Sequence, residues 1–131
     1  MKKLFPLLLI LSSILVIFPL QSAQAEAVSA SYAKIEDGRI TIEVKIGAPA
    51  PKTILLTQNL PPGTIIIKAS PVYNKYDRKT GTATWLLKDI KPGKKLIHFR
   101  TEKPITPGSL SAVLRFREPK SGKVVRITVT P

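Results

Sequence analysis

Arg39-Ile40-Thr41-Ile42-Glu43-Val44-Lys45-Ile46 alternates an apolar residue with a charged or hydroxyl one at every step. A period of two puts Ile40, Ile42, Val44 and Ile46 on one face and Arg39, Thr41, Glu43 and Lys45 on the other. That is the pattern of a strand with one side in a core and one in water. The alternation returns at Leu110, Ala112, Leu114 and Phe116, and again at Val125, Ile127 and Val129. Runs rich in Ile, Leu, Thr and aromatic residues predict further strands around residues 53–57, 64–69, 82–87 and 96–101. Residues 27–32 fit either a lead-in or a first edge strand.

Turn chemistry separates these runs. Asp37-Gly38, Pro61-Pro62-Gly63, Thr80-Gly81, Lys91-Pro92-Gly93, Thr106-Pro107-Gly108 and Ser121-Gly122 all favour chain reversal. No segment of residues 26–131 carries a helical period long enough to compete. The expected fold is an all-β antiparallel sandwich of about seven to eight short strands. Residues 110–117 and 123–130, joined by Glu118-Pro119-Lys120-Ser121-Gly122, are expected to close a C-terminal hairpin.

Outward from this core pattern, the N-terminus is of another kind. Lys2 and Lys3 precede an almost wholly apolar stretch at residues 4–20, and Ala23-Gln24-Ala25 follows. Positive charge, apolar run and small-x-small order is that of a cleavable secretory signal. The apolar run is short for a membrane span, and Pro19 and Ala23-x-Ala25 favour cleavage over retention as an anchor. Residues 1–25 are therefore expected to be removed, leaving a single domain at 26–131 that is periplasmic, secreted or at the cell surface. The chain has no cysteine. That excludes a thioether lipid anchor, disulfide staples, thiolate metal sites and thiol chemistry, so the fold rests on its core.

Residues 53–100 contain Leu60-Pro61-Pro62-Gly63, then Ala69-Ser70, then Gly81-Thr82-Ala83-Thr84-Trp85, then Lys91-Pro92-Gly93. In order and spacing they resemble an immunoglobulin-like repeat of bacterial and archaeal surface proteins known as domain of unknown function 11. The resemblance implies an immunoglobulin-like sandwich, a cell-envelope or surface location, and Trp85 as a core residue. It implies no reaction. Two features differ from the family pattern: Gly47-Ala48-Pro49-Ala50-Pro51 stands where a polar loop is usual, and the chain is strongly basic with one copy of the pattern.

Charge is the most informative functional feature. Setting Lys2 and Lys3 aside leaves 19 basic against 8 acidic residues, a net of +11. Residues 26–66 are balanced, so the whole excess sits in residues 67–131. Alternation puts Arg115 and Arg117 on the outward face of one strand and Arg126 on that of its hairpin partner. Lys120 and Lys123 flank the turn between them. Like charges facing each other across strands oppose folding. Such a patch fits docking on an anionic envelope polymer or an acidic surface protein; it equally fits cations that keep an exposed sheet soluble and guard its edge. Sequence-specific nucleic-acid recognition has no reading module here, and membrane contact is expected to be at most peripheral.

Tyr73 and Tyr76, among Lys75 and Arg78, make the one aromatic–basic cluster. It suits stacking on a carbohydrate, or covering a sandwich edge. His98 alternates with Ile97 and Phe99, with no second histidine to share a metal. There is no Gly-x-Ser-x-Gly elbow, no glycine-rich phosphate loop and no clustered ligand set. A non-enzymatic role without catalytic residues, cofactor, metal or small-molecule substrate is expected. The alternative to anion docking is a structural subunit that assembles through sheet edges with itself or a larger surface protein.

Overall fold

The structure, a computed structural model, describes residues 27–131. The expected signal at 1–25 and the expected mature start at Glu26 lie outside the described residues. Nine strands follow in order: β1 (Val28–Glu36), β2 (Arg39–Ile46), β3 (Thr53–Asn59), β4 (Ile66–Ser70), β5 (Lys75–Asp77), β6 (Thr82–Lys88), β7 (Gly93–Thr101), β8 (Ser111–Arg117) and β9 (Val124–Val129). They build two antiparallel sheets, one of order β1-β2-β7-β4 and one of order β5-β6-β3-β8-β9. This is the expected all-β sandwich, with nine strands in place of seven or eight.

The additional strands come from weakly patterned segments. Of residues 27–32, all but Ala27 belong to a full edge strand, because β1 pairs along the whole of β2 from Val28–Ile46 to Glu36–Arg39. The short β5 is held by its register with β6, Lys75 opposite Thr84 and Asp77 opposite Thr82. The C-terminal hairpin forms as expected, with Arg115 opposite Arg126.

The alternation seen in the sequence sets what each sheet buries. Ile40, Ile42 and Val44 of β2 and Ile97 and Phe99 of β7 face Ile54 and Leu56 of β3, Trp85 of β6 and Leu114 of β8 in one cluster. Trp85 ties the layers together: its ring lies 5.8 Å from Phe99 of the other sheet and edge-on to Tyr73 at 6.1 Å. Its Nε1–H donates to the Pro71 carbonyl at 2.8 Å, so the one polar atom of the indole is not stranded in the core.

Among the described residues, two polar side chains are buried, Gln58 and Thr101. Gln58 Nε2 donates to the carbonyls of Asn59 (2.8 Å) and Ser111 (3.1 Å), and its Oε1 accepts from the Tyr32 hydroxyl at 2.9 Å. The last bond crosses from β1 of one sheet to β3 of the other. Thr101 Oγ1 donates to the Lys103 carbonyl at 2.7 Å. Burial of polar groups is tolerated here because each finds a partner.

The sheet edges differ. In the four-stranded sheet, both edge strands carry a register shift, between Tyr32 and Lys34 in β1 and between Ile66 and Lys68 in β4. In the five-stranded sheet, β5 is only three residues long, whereas β9 runs six residues without a shift. Bulges and short edges resist pairing with other chains. The β9 edge has neither device.

Candidate functional site

The chain changes sheet five times between β2 and β8, so residues distant in sequence come to share a face. On the outer face of the five-stranded sheet, Arg115 of β8 lies between Leu55 of β3 and Arg126 of β9. Arg115 and Arg126 are both exposed and directly opposite each other. Lys120 and Lys123 are exposed at the turn beyond them. Lys88 joins this end of the face, exposed opposite Thr53. Sequence reasoning did not connect Lys88 with the hairpin, because the β6–β3–β8 order that brings them together is a tertiary feature.

Arg117 is different from its neighbours. Its Nη1 donates to the Gly122 carbonyl at 2.7 Å, clamping the hairpin turn. The same turn is closed by backbone bonds from the Glu118 amide to the Lys123 carbonyl and from the Gly122 amide to the Glu118 carbonyl, each 2.8 Å. Glu118, the acid of this turn, accepts from the Ser121 hydroxyl at 3.0 Å. Ion pairs among the described residues join Lys34 to Glu36 and both Lys45 and Lys94 to Glu43, and none involves Arg115, Arg117, Lys120, Lys123 or Arg126.

Tyr73 and Tyr76 sit together, their ring centroids 5.7 Å apart, with planes tilted by 55°. Both are half-buried against the core. Tyr76 donates its hydroxyl hydrogen to the Thr64 carbonyl, and burial raises its pKa above the ordinary tyrosine value despite the nearby Arg78. With Tyr73 edge-on to Trp85, the pair presents no flat two-ring platform.

A second basic cluster lies on the opposite side of the molecule. In the four-stranded sheet, Arg39 of β2 is opposite Arg100 of β7, and Arg100 is opposite Lys68 of β4. The next row places Lys34 of β1 beside Thr41, Thr41 beside His98, and His98 beside Ser70. The Thr41 hydroxyl and His98 Nδ1 share a 2.9 Å hydrogen bond. These groups line an open depression of about 430 Å³. The charge count by halves concealed this cluster, since Lys34 and Arg39 come from the balanced half and Lys68 and Arg100 from the basic one. Strand alternation marks Arg39 and Arg100 as outward, whereas Lys34 and Lys68 turn outward only past the register shifts in β1 and β4, and only the β1-β2-β7-β4 order makes the four neighbours.

Another depression, of about 420 Å³, is lined at one end of the sandwich by Pro61, Gly63, Ile65, Arg78, Glu102 and Lys103. It carries both signs of charge and no convergent set of donors. Among the described residues, no group of three or more His, Cys, Asp or Glu side chains is placed to hold a metal ion. No protein-family model matches the chain, and no curated protein does.

Proposed function

We propose that the chain is an exported, non-enzymatic binding module of the cell envelope or surface. It docks the basic hairpin side of its five-stranded sheet on an anionic polymer or an acidic protein partner. The observation that carries this reading is the facing pair Arg115 and Arg126, exposed and without an ion-pair partner among the described residues. Facing like charges oppose folding by a few tenths of a kcal/mol, about the size of other cross-strand terms. An anionic partner turns that cost into attraction. Lys120, Lys123 and Lys88 widen the same end, and arginine forks suit phosphate and carboxylate oxygens. The resemblance at Leu60–Gly63, Gly81–Trp85 and Lys91–Gly93 supports the surface location.

The test is retention of the 26–131 chain on immobilised polyglycerol phosphate and on polyglutamate. Binding should fall steeply as salt shortens the screening length from about 10 Å at 0.1 M to about 3 Å at 1 M. It should also weaken in Arg115→Ser/Arg126→Ser. Salt-independent binding, or binding indifferent to that variant, would defeat the reading. Arg117 is best left in place, because its bond to Gly122 makes its loss a structural change as well.

A second reading rests on β9. It is an unbulged edge strand of six residues, and such an edge suits strand addition by another chain. In that case the isolated protein forms multimers, which light scattering after size-exclusion chromatography detects; a charge-docking module elutes as a monomer.

A further inference from the structure

The outer face of the four-stranded sheet neutralises its cations at one end and leaves them bare at the other. At the first end, Glu43 lies between Lys45 and Lys94, 3.9 and 3.7 Å from their ammonium nitrogens. At the other end, Arg39, Arg100 and Lys68 stand in one row across β2, β7 and β4, and none of the three has an ion-pair partner among the described residues. The nearby acids are Glu36 and Asp37. Glu36 is opposite Arg39 across the β1–β2 pair but is bound to Lys34 at 3.6 Å, and Asp37 sits in the turn on the far side of Arg39. Together they border an adjoining depression that shares Lys34, Arg39 and Arg100 with the one lined by Thr41 but does not reach Lys68 or His98.

From this row we infer a discrete site for a phosphate-type oxyanion, centred over Thr41 and His98 and held by Arg39, Arg100 and Lys68. It stands on the face opposite the hairpin and does not depend on the docking proposed there. Neighbouring strands lie about 4.8 Å apart, so the row spans roughly 10 Å of backbone. Two arginines and a lysine of that spacing can close on one small ligand. Guanidinium groups offer paired N–H donors to two oxygens at once, and lysine adds a point charge. A carboxylate has two oxygens and would satisfy one of these forks. A phosphate group offers at least three strong acceptor oxygens, each with more than one lone pair, so both forks, Lys68 and the polar floor can share them. That floor is laid by the Thr41–His98 pair and the exposed Ser70 opposite His98. When the Thr41 hydroxyl donates to Nδ1, the His98 Nε2 carries its hydrogen and faces outward as one more donor.

The ligand chemistry has two possible sources, a soluble phosphate ester and the headgroup of a lipid, and the test has an arm for each. In the first, inorganic phosphate is titrated into the isotope-labelled 26–131 chain and amide shifts are followed at Thr41, His98 and Arg100. The expected result is saturable shifts confined to this face, weakened at least tenfold in Arg39→Ser/Arg100→Ser and retained in Arg115→Ser/Arg126→Ser. A Lys68→Ser variant, which removes one cation from an edge strand, should weaken binding less than the double variant. Unchanged thermal midpoints show that each variant is folded. Shifts that never saturate, or that survive loss of both arginines, overturn the site. In the second arm, flotation with phosphatidic acid vesicles is compared for the same variants. Loss of flotation when Arg39→Ser/Arg100→Ser is added to Arg115→Ser/Arg126→Ser, beyond the fall that the latter causes alone, identifies the headgroup as the source; saturable phosphate binding with flotation unaffected by that addition identifies a soluble ester.

Discussion

Gln58 shows how a single side chain can join two sheets. Its position follows from alternation with Ile54 and Leu56 in β3, which turns it inward. Burial there is tolerable because Tyr32 of the opposite sheet supplies a hydrogen to Oε1. Tyr32→Phe removes that donor and leaves a buried acceptor unpaired. The expected loss is about 1–3 kcal/mol of unfolding free energy, measured by denaturant titration. The same tyrosine adds an alkaline dependence. Burial raises its pKa from 10.0 to about 12. The folded state therefore keeps a proton that the unfolded chain gives up, and stability falls as pH climbs from 10 through about 12. Below pH 10 the contribution is intact. The Tyr32→Phe variant should lack this component of the decline, which a comparison of unfolding curves at pH 9 and above resolves. Gly81 makes a second point at this scale. Its φ is +75°, and a Cβ there would stand 2.1 Å from the Leu60 carbonyl oxygen. The Leu60 amide donates to the Gly81 carbonyl at 2.7 Å, so the two backbones are locked together. Gly81→Ala should cost upwards of about 2 kcal/mol by combining a disfavoured φ with a steric clash, read as a fall in thermal midpoint. The sequence marked Gly81 as a turn residue; the backbone crossing beside it was not visible there, because Leu60 lies in a different loop.

The β8–β9 hairpin was legible almost whole. Both strands alternate, a Pro-Lys-Ser-Gly turn joins them, and hairpin pairing is local, so register follows from neighbouring residues. The outward placement of Arg115 and Arg126 came with it, and their facing register sharpened it. That register gives a test in which stability and binding move in opposite directions. Arg126→Glu replaces a like-charge pair with an opposite one. Unfolding free energy should rise by a few tenths of a kcal/mol, about the size of cross-strand pairs, while retention on polyglycerol phosphate falls. A variant that lost both stability and binding would contradict the view that the facing arginines are kept for a partner. The edge strands β1 and β5 were much less legible. In β1 the alternation of Val28, Ala30 and Tyr32 is broken by the register shift between Tyr32 and Lys34, and β5 is three residues whose pairing with β6 is carried by backbone bonds that no side-chain pattern records.

For the molecule as a whole, the consequence of the topology is that cations stand on both outer faces. One cluster is the hairpin side with Lys88; the other is the row Arg39, Arg100 and Lys68. A body with basic faces on opposite sides can join two anionic surfaces. At low ionic strength the 26–131 chain should make phosphatidic acid vesicles cluster, seen as turbidity that reverses on adding salt. Arg39→Ser/Arg100→Ser and Arg115→Ser/Arg126→Ser should each abolish clustering, and each should still bind vesicles through the remaining face. Clustering that persists in either variant would show that one face suffices.

By itself, the sequence determined that this is an all-β sandwich without disulfides, which residues of β2, β8 and β9 face inward, where the main turns fall, and that Arg115 and Arg126 point outward. Period-two alternation, turn residues and composition are local properties, and they are written in consecutive residues. The tertiary structure alone decided that Trp85 meets Phe99 across the layers, that Gln58 is completed by Tyr32, and that a neutral half and a basic half of the chain share one cationic row. Each of those depends on the order of strands within a sheet or on which sheet faces which. Order is settled by burying every apolar face at once, a condition on the whole chain that no stretch of it can express.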